Sequence, residues 1–329
     1  MLKMFKICGM MTTGVAALLA QPAASFQPAT NGSTEPQDEI EVLGRRMREA
    51  EARREANDFV RRAGVANSEN PVARWNTPVC PKVLGIQPEY AAIVESKVRA
   101  IAATASIDVS PAPCKTNIVI SFTTDARKVI QRIAVKSPRR LAEVPVPARP
   151  RLLKGDAPIR WWYTTQLTGS DGMMTSGDAP PSAAGTAEGG GSPLALGAQS
   201  IQTFGSSIIR SYAVRALRSA TVVVDVNLAE GVSLDGVAAY AAMVAFAEIT
   251  PSDNPIPNSV LGLFEPGKSF AAPTDWDISF LKALYSIPAD RAGWKQKRML
   301  VGKILKDSEA AGQIDDDEDL TEGLADTVK

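Results

Sequence analysis

The apolar run at residues 237–247, "VAAYAAMVAFA", constrains the fold more than any other part of the sequence. Ser233 before it is a suitable helix N-cap and Pro251 after it does not continue a helix, so the pattern predicts a helix over 233–249. The run has eleven residues, fewer than the roughly 20 that span a bilayer, and a surface helix would carry a polar face. The sequence therefore predicts a fully buried helix around which the other elements pack.

Apolar segments rich in β-branched and aromatic residues predict strands, and the one at 219–229, "SATVVVDVNLA", is apolar on both faces, as is typical of a central strand. Thr274 and Asp277 form a T-x-x-D cap at the start of a helix over 274–287. Strands that alternate with helices predict an α/β or α+β fold, a single mixed-sheet domain with helices packed on it. The other predicted strands are 117–122 and 159–167, and the other predicted helices are 88–107, 125–135 and 288–307.

The first 25 residues have the pattern of a secretory signal peptide. Lys3 and Lys6 precede an apolar run over 7–20, and small residues follow it. The run is too short for a membrane span, so no transmembrane segment is expected in the mature chain. We expect cleavage after Ser25 and a periplasmic or secreted location.

The rest of the chain is predicted to have three parts. Residues 26–70 are interpreted as a flexible leader and a charged helical spacer, with a partner-binding helix as the alternative. Residues 71–306 form the α/β domain, interrupted by a disordered loop at 168–203 that is poor in large apolar side chains. An acidic disordered tail follows at 307–329. The mature chain has a net charge of −2, which gives no indication of a nucleic-acid partner.

Cysteine and histidine usage restricts the chemistry. Cys80 and Cys114 are the two cysteines left after the signal peptide, and they predict one disulfide, with a pair of buried thiols as the alternative. The sequence has no histidine, which excludes Ser-His-Asp and Cys-His catalysis and imidazole metal sites. No motif in the sequence supports a catalytic residue, a metal site or a cofactor, and none is predicted.

Residues 262–269, "GLFEPGKS", match the phosphate-binding pattern G-x-x-x-x-G-K-[ST]. A working loop of this kind follows a buried strand and opens directly into a helix. Here the next helix cap is at Thr274, beyond Pro273, and Glu265 would put a carboxylate into the phosphate cradle. We interpret the match as a coincidence.

Two other sets of residues are candidates for catalysis. Ser279 and Lys282 fit the loose S-x-x-K pattern of serine acyl enzymes, but the motifs that accompany it in that class are missing. Asp225 follows a buried strand and Glu248 ends the core helix, so each is either a buried acid or an ordinary cap. Spacing alone does not decide between these interpretations.

The segment 159–167, "IRWWYTTQL", contains the densest aromatic cluster. Alternation along a strand puts Trp161 and Tyr163 on one face and Arg160 and Trp162 on the other. One face is predicted to be core. Arg160 and Trp162 are the speculative binding residues, and the alternative is that they belong to core and ordinary surface.

Several segments in order, "RWNTPVC", "PCKTNIVISFTTDA", "IRWWYTT", "VVVDV" and "TDWDISFLKALYSI", resemble a family of uncharacterised exported proteins of Gram-negative bacteria over residues 74–287. The resemblance implies no activity. A strand followed by the helix "YAAMVAFAEI" also resembles the layout of zinc metalloproteases, whose helix carries H-E-x-x-H. Alanine, methionine and phenylalanine stand at those positions here, so this resemblance implies a copy without zinc.

The sequence predicts an exported protein that acts as a non-catalytic binding or structural module, with an unidentified envelope protein or ligand as its partner. The alternative is an envelope hydrolase that uses carboxylates or a Ser–Lys pair.

We expect the protein isolated from cells to start at Phe26, because the signal peptide is removed after Ser25. Intact mass before and after reduction and alkylation checks this, and Cys80 and Cys114 should resist alkylation until they are reduced. A cytoplasmic chain that retains Met1 and has freely alkylated thiols would contradict export.

Overall fold

The computed structural model describes residues 36–65, 70–169, 213–251, 256 and 258–307. The chain divides into two compact units, residues 1–47 and 48–329, and the described part of the first unit is the beginning of helix α1 (Pro36–Arg62). Three predicted features lie outside the described residues: the signal peptide, the 168–203 loop beyond residue 169, and the acidic tail from residue 308.

A four-stranded mixed sheet forms the centre of the second unit. Its strands stand in the order β1-β2-β4-β3; β1, β2 and β4 are parallel, and β3 is antiparallel to β4. The prediction of a central, doubly apolar strand is confirmed, because β4 lies between β2 and β3. The strands are β1 (Pro81–Leu84), β2 (Ile118–Thr123), β3 (Ile159–Gly169) and β4 (Ala213–Asp225).

Seven helices surround this sheet in the described part of the chain, which confirms the predicted mixed α/β class. The capping box predicted for α6 is present, with the Thr274 side chain bound by the main chain of Asp277 and the reverse bond also made. The short helix α4 begins at the end of a proline-rich stretch at 138–150, for which the sequence predicts no helix or strand. After α1, the helices are α2 (Pro88–Thr104), α3 (Ala126–Lys136), α4 (Arg149–Lys154), α5 (Leu234–Phe246), α6 (Asp275–Ser286) and α7 (293–307).

Helix α5 is the buried helix that the sequence predicts. Every residue from Gly236 to Phe246 is buried, and α5 packs against both α2 and β4. It belongs to the main hydrophobic core on one face of the sheet, together with Val222 and Val224 of β4. A smaller core on the other face contains Val223 and Trp162, covered by α3, α4 and the turns between them. The domain therefore has three layers.

Helix α1 corrects the predicted domain boundary. Ala56, Phe59 and Val60 are buried in the main core, and the Phe59 ring lies 5.3 Å from the ring of Phe280 in α6. The second compact unit begins at Arg48, so the folded domain starts well before the predicted boundary at residue 71. The charged residues of this helix hide a narrow apolar stripe in the sequence. For this reason the sequence pattern indicates a charged spacer rather than a part of the core.

The predicted disulfide is confirmed: Cys80 and Cys114 are bonded, with their Cα atoms 6.1 Å apart. It joins the approaches to β1 and β2, which are neighbouring strands. Closing a loop of 34 residues stabilises the native state by about 3–4 kcal/mol in the chain-entropy treatment.

The carboxyl end of α5 lies inside the protein, where its last carbonyl groups have no intrahelical partner. Aromatic side chains from three separate parts of the chain supply the missing donors. The Trp75 indole N–H donates to Ala245 O at 2.9 Å, and the Tyr285 hydroxyl donates to Phe246 O at 2.7 Å. The Tyr163 hydroxyl lies 2.6 Å from Val244 O and 2.8 Å from Ala247 O. These side chains tie β3, α6 and the segment before β1 to one helix end.

We predict that Tyr285→Phe and Tyr163→Phe each lower the free energy of unfolding by about 1–3 kcal/mol, because each leaves a buried carbonyl unpaired. Urea denaturation of each variant measures the loss. Tyr90→Phe is the matched control: its side chain is 47% exposed, and its effect should stay below about 0.5 kcal/mol. Equal effects at Tyr285 and Tyr90 would contradict the capping role.

Candidate functional site

Within the described residues, strand β3 lies at an edge of the sheet and pairs only with β4. The Asp225 N–H donates to Pro158 O at 2.8 Å, which fixes the alternation of the ladder between these strands. The main-chain N–H and C=O groups of Ile159, Trp161 and Tyr163 are therefore directed away from β4. The name "open edge of β3" is used below for the outward main-chain groups of Ile159, Trp161 and Tyr163.

One end of this edge is already occupied. Thr165 continues the alternation of β3, so its N–H also points away from β4. The extra residue of the register shift next to it lies on β4, where Thr164 pairs with Ser219 and Thr165 with Leu217. The Glu143 carboxylate accepts this N–H at 2.6 Å and the Thr165 hydroxyl at 2.8 Å. An acidic side chain therefore closes the edge at Thr165, and the open edge extends from Ile159 to Tyr163.

A cavity of about 410 Å³ runs along the open edge. Residues 157–163, which comprise the start of β3 and the two residues before it, form the floor of the cavity. One wall of the cavity lies on each face of the sheet. The first wall comes from α4 and the turns before it, and the second from the end of α5 and the segments that follow. The first wall includes Val144, Pro145, Ala148, Arg151 and Leu152, and the second includes Tyr240, Ile249, Thr250, Pro251 and Phe264.

The second wall is aromatic and held in place by ring contacts. The rings of Trp161 and Tyr240 meet edge to face at 6.0 Å, and those of Tyr240 and Phe264 at 5.6 Å. The Trp161 indole N–H donates to Ile249 O at 2.9 Å. Burial raises the pKa of Tyr240 and of Tyr163 far above the usual phenol value, so both hydroxyls stay protonated. This wall is a rigid, uncharged surface.

Arg160 is a buried charged residue among those that line the cavity. Its side chain is only 4% exposed, and Nη2 donates to Gly155 O. Its Nε and Nη1 atoms have no hydrogen-bond partner among the described residues. Burial lowers the pKa of Arg160, the charge of Arg127 lowers it further, and the nearby Asp225 opposes this shift.

Trp162 also lines the cavity, but it is a core residue. It is 4% exposed and packs in the smaller core with Ile130, Leu152 and Val223. The predicted alternation of β3 side chains is present, with Trp161 in one core and Trp162 in the other. The face that carries Arg160 and Trp162 is therefore covered rather than exposed.

Asp225 and Glu248 have structural partners at opposite ends of β4. Asp225 accepts the Ala126 N–H at 2.9 Å and caps the start of α3, whereas Glu248 forms two bonds of 2.7 Å with Arg215. Arg215 and Asp225 are ten residues apart on one strand, which is about 33 Å at 3.3 Å per residue. Paired carboxylates of glycosidases lie within about 10 Å of each other, so the structure does not bring these two together for such chemistry.

Ser279 and Lys282 both lie on α6, where Ser279 is half-buried and Lys282 is exposed. No hydrogen bond joins the two side chains in the part of the chain that the structure describes, and neither lines the cavity. The arrangement gives Lys282 no contact through which it would activate Ser279.

The "GLFEPGKS" segment forms a 3₁₀ turn at Val260–Gly262 followed by tight turns, with Gly267 at φ +76°. Helix α6 starts only at Asp275, so the segment does not open directly into a helix. A Cβ atom at Gly262 would lie 2.9 Å from the Glu265 carboxylate, so an acidic group lies against the first glycine of the match. This geometry supports the interpretation of the match as a coincidence.

Asp277 fixes the turn that carries the aromatic wall. Its fully buried carboxylate accepts the Ser259 hydroxyl at 2.6 Å, the Val260 N–H at 2.8 Å and the Thr274 N–H at 2.9 Å. Burial raises the pKa of Asp277, while these hydrogen bonds lower it. The carboxylate joins α6 to the turn that leads to Phe264.

Comparison with known proteins finds no protein family, no curated relative and no solved structure that matches the chain. Within the described residues, no group of three or more His, Cys, Asp or Glu side chains is arranged to hold a metal ion. None of the helices described is both long enough and apolar enough to cross a bilayer.

The sequence names Arg160 as a candidate but gives no indication of the cavity that it lines. Glu143, Tyr240 and Phe264 come from different segments and converge only in the fold. The alternation in 159–167 indicates a strand, but no local pattern shows that the strand ends at an edge.

We predict that Asp277→Asn lowers the free energy of unfolding by about 1–3 kcal/mol, because the amide NH₂ cannot accept the bonds that the carboxylate accepts. Asp275→Asn is the matched control, since Asp275 lies in the same helical turn and is exposed. Chemical denaturation followed by circular dichroism compares the two variants. Equal stability would contradict the role of Asp277 in holding the turn.

Proposed function

We propose that this chain is an exported, non-catalytic binding protein that takes up an extended peptide segment along the open edge of β3. The observation that carries the proposal is an edge strand whose outward main-chain groups form the floor of a cavity of about 410 Å³. A peptide added as a strand would hydrogen-bond to alternate residues of β3 and place its side chains against the two walls.

The dimensions suit a short peptide. From Ile159 to Tyr163 the open edge is about 13 Å long at 3.3 Å per residue, which matches about four to five peptide residues. The cavity volume lies within the range of about 300–1,000 Å³ that is common for ligand sites. The closed end at Thr165 would limit the register of a bound segment.

The main-chain edge at residues 159–163 lacks most of the features that block pairing. Exposed edge strands are commonly protected from association with another chain by lysine, proline, a bulge or an inward-pointing charge. Residues 159–163, "IRWWY", contain neither lysine nor proline, and the bulge lies beyond them at Thr164 and Thr165, so the buried Arg160 is the one such feature in this segment. Among the described residues, β4 is the strand that pairs with β3.

The open edge is also held rigid before any ligand binds. The Tyr163 hydroxyl and the Trp161 indole both bond to main-chain carbonyls at or beyond the end of α5. A preorganised site loses less conformational entropy on binding than a flexible one, which favours affinity.

The other parts of the proposal rest on the sequence and on the placement of polar groups. The residue pattern of the first 25 residues supports export, and so does the Cys80–Cys114 disulfide, because such bonds persist in oxidising compartments. The absence of histidine and the separate partners of Asp225 and Glu248 support a non-catalytic role.

The test begins with the selection of linear peptides from a displayed random library on the mature protein. Hydrogen exchange of the protein is then compared with and without a selected peptide. We expect a bound peptide to slow exchange of the Trp161 and Tyr163 amides at least about tenfold, because both gain a hydrogen bond. The amides of Arg160 and Trp162 already pair with β4 and should not change. Residue-resolved NMR reports all four amides in one experiment.

Ala157→Trp would fill the cavity, so it should weaken peptide binding at least about tenfold without unfolding the domain. Ala142→Trp is the matched control, because Ala142 is exposed and does not line the cavity. Selected peptides that protect amides elsewhere and bind both variants equally would overturn the proposal.

A further inference from the structure

Positive charge is concentrated in residues 126–154, which comprise α3, α4 and the two 3₁₀ turns between them. The segment contains nine Lys and Arg residues and one acid, Glu143, so its net charge is +8. Because the whole chain has a net charge of 0, all the other residues together carry −8. The segment covers the smaller core on one face of the sheet. The name "basic layer" is used below for residues 126–154.

The acids in and beside the basic layer leave most of its charge unbalanced. Glu143 binds the main chain and hydroxyl of Thr165. At the borders of the layer, Asp125 caps the start of α3 and Asp156 is paired with Arg127. Six exposed cations of the layer form no ion pair with another described residue: Lys128, Arg132, Lys136, Arg139, Arg140 and Lys154.

The outer face of α3 combines these charges with an exposed apolar side chain. Ile130 packs in the smaller core, so Lys128, Arg132 and Val135 lie on the opposite side of the helix. Val135 is 82% exposed, and Val146, in the turn before α4, is 72% exposed. They are the two most exposed large apolar side chains among the described residues.

The elements of the basic layer are also joined to one another. The Gln131 side chain in α3 donates to Leu153 O in α4 at 3.2 Å. Arg149 at the start of α4 donates to Val144 O at 3.1 Å and to Ala142 O at 3.2 Å. The layer therefore presents its cations and its exposed valines on one connected surface.

We propose that the basic layer docks on the surface of a bilayer that contains anionic phospholipids. The negative potential of such a surface attracts Lys and Arg side chains, and apolar side chains that enter the headgroup region add to the binding. Nucleic acids and anionic polysaccharides also attract cations, but they have no apolar interior for Val135 and Val146. Charge and apolar exposure together favour the bilayer.

This docking requires no membrane-spanning helix and does not depend on the proposed peptide site. Part of the basic layer, including Val144, Ala148 and Leu152, forms the first wall of the cavity. A docked protein would therefore hold the cavity close to the bilayer.

Vesicle cosedimentation of the unaltered mature protein tests the inference. Vesicles of phosphatidylcholine alone are compared with vesicles in which about one third of the lipid is phosphatidylglycerol, and we expect at least about tenfold stronger partitioning to the anionic vesicles. An increase in NaCl from about 0.1 M to about 1 M shortens the Debye length from about 10 Å to about 3 Å and should weaken this binding at least about tenfold.

A charge variant locates the binding surface. Lys128→Gln combined with Arg132→Gln should weaken binding to the anionic vesicles at least about tenfold, because each cation near the surface adds several-fold to the affinity. Arg53→Gln combined with Arg54→Gln is the matched control. It removes the same charge from exposed positions of α1, which packs in the main core on the other face of the sheet, and it should preserve binding within about twofold.

An apolar variant tests the contribution of the exposed valine. Val135→Ser should weaken binding to the anionic vesicles at least about threefold, because binding at the headgroup region increases with the apolar area that is buried. Ile93→Ser is the matched control: Ile93 is 50% exposed on α2, which packs in the main core, and its replacement should leave binding unchanged. All the replaced side chains are exposed, so each variant is expected to fold.

Three results would overturn the inference. The first is equal partitioning to neutral and anionic vesicles, and the second is an equal loss of binding in the two charge variants. The third is retention on heparin or double-stranded DNA without binding to anionic vesicles, which would assign the basic layer to a soluble polyanion. Protection of the Trp161 and Tyr163 amides by peptides is measured separately, so failure of either proposal leaves the other to its own test.

Discussion

Helix α5 ends inside the protein, where water does not reach the carbonyl groups of its last turn. Apolar residues buried on all sides stabilise the helix, but burial also requires that these carbonyls find donors within the protein. Trp75, Tyr163 and Tyr285 supply them. The main core, the position of β3 and the docking of α6 all depend on this one set of hydrogen bonds, since each donor belongs to a different element.

The need for hydrogen-bond donors at the end of α5 also creates the candidate site. Tyr163 belongs to β3, so its bond to the end of α5 fixes an edge strand against the core while the main-chain groups of Ile159, Trp161 and Tyr163 are directed away from β4. Trp161 makes a similar bond and begins the aromatic wall of the cavity. The opposite wall comes from the segment between α3 and β3, which covers Trp162. The binding surface is a consequence of how the core is closed.

Local patterns were sufficient for most of the elements. The apolar run of α5, the doubly apolar β4, the T-x-x-D cap at Thr274 and the cysteine pair each depend on residues close in sequence or on a simple count, and the structure confirms them. The stripe of α1 was missed because charged neighbours hide Phe59 and Val60. The face of Arg160 and Trp162 was expected to be open because the proline-rich stretch gave no sign that it folds into α4 and two 3₁₀ turns. The cavity joins Glu143, Arg160 and Phe264 across more than a hundred residues, a distance over which periodicity carries no information.

A crystal structure of the mature protein with a selected peptide tests the central claim most directly, namely that β3 is an open edge that accepts an additional strand. The account predicts a peptide in extended conformation, with main-chain hydrogen bonds of about 2.9 Å to Trp161 and Tyr163. A peptide bound elsewhere, or a segment of the same chain paired with the edge of β3, would contradict it.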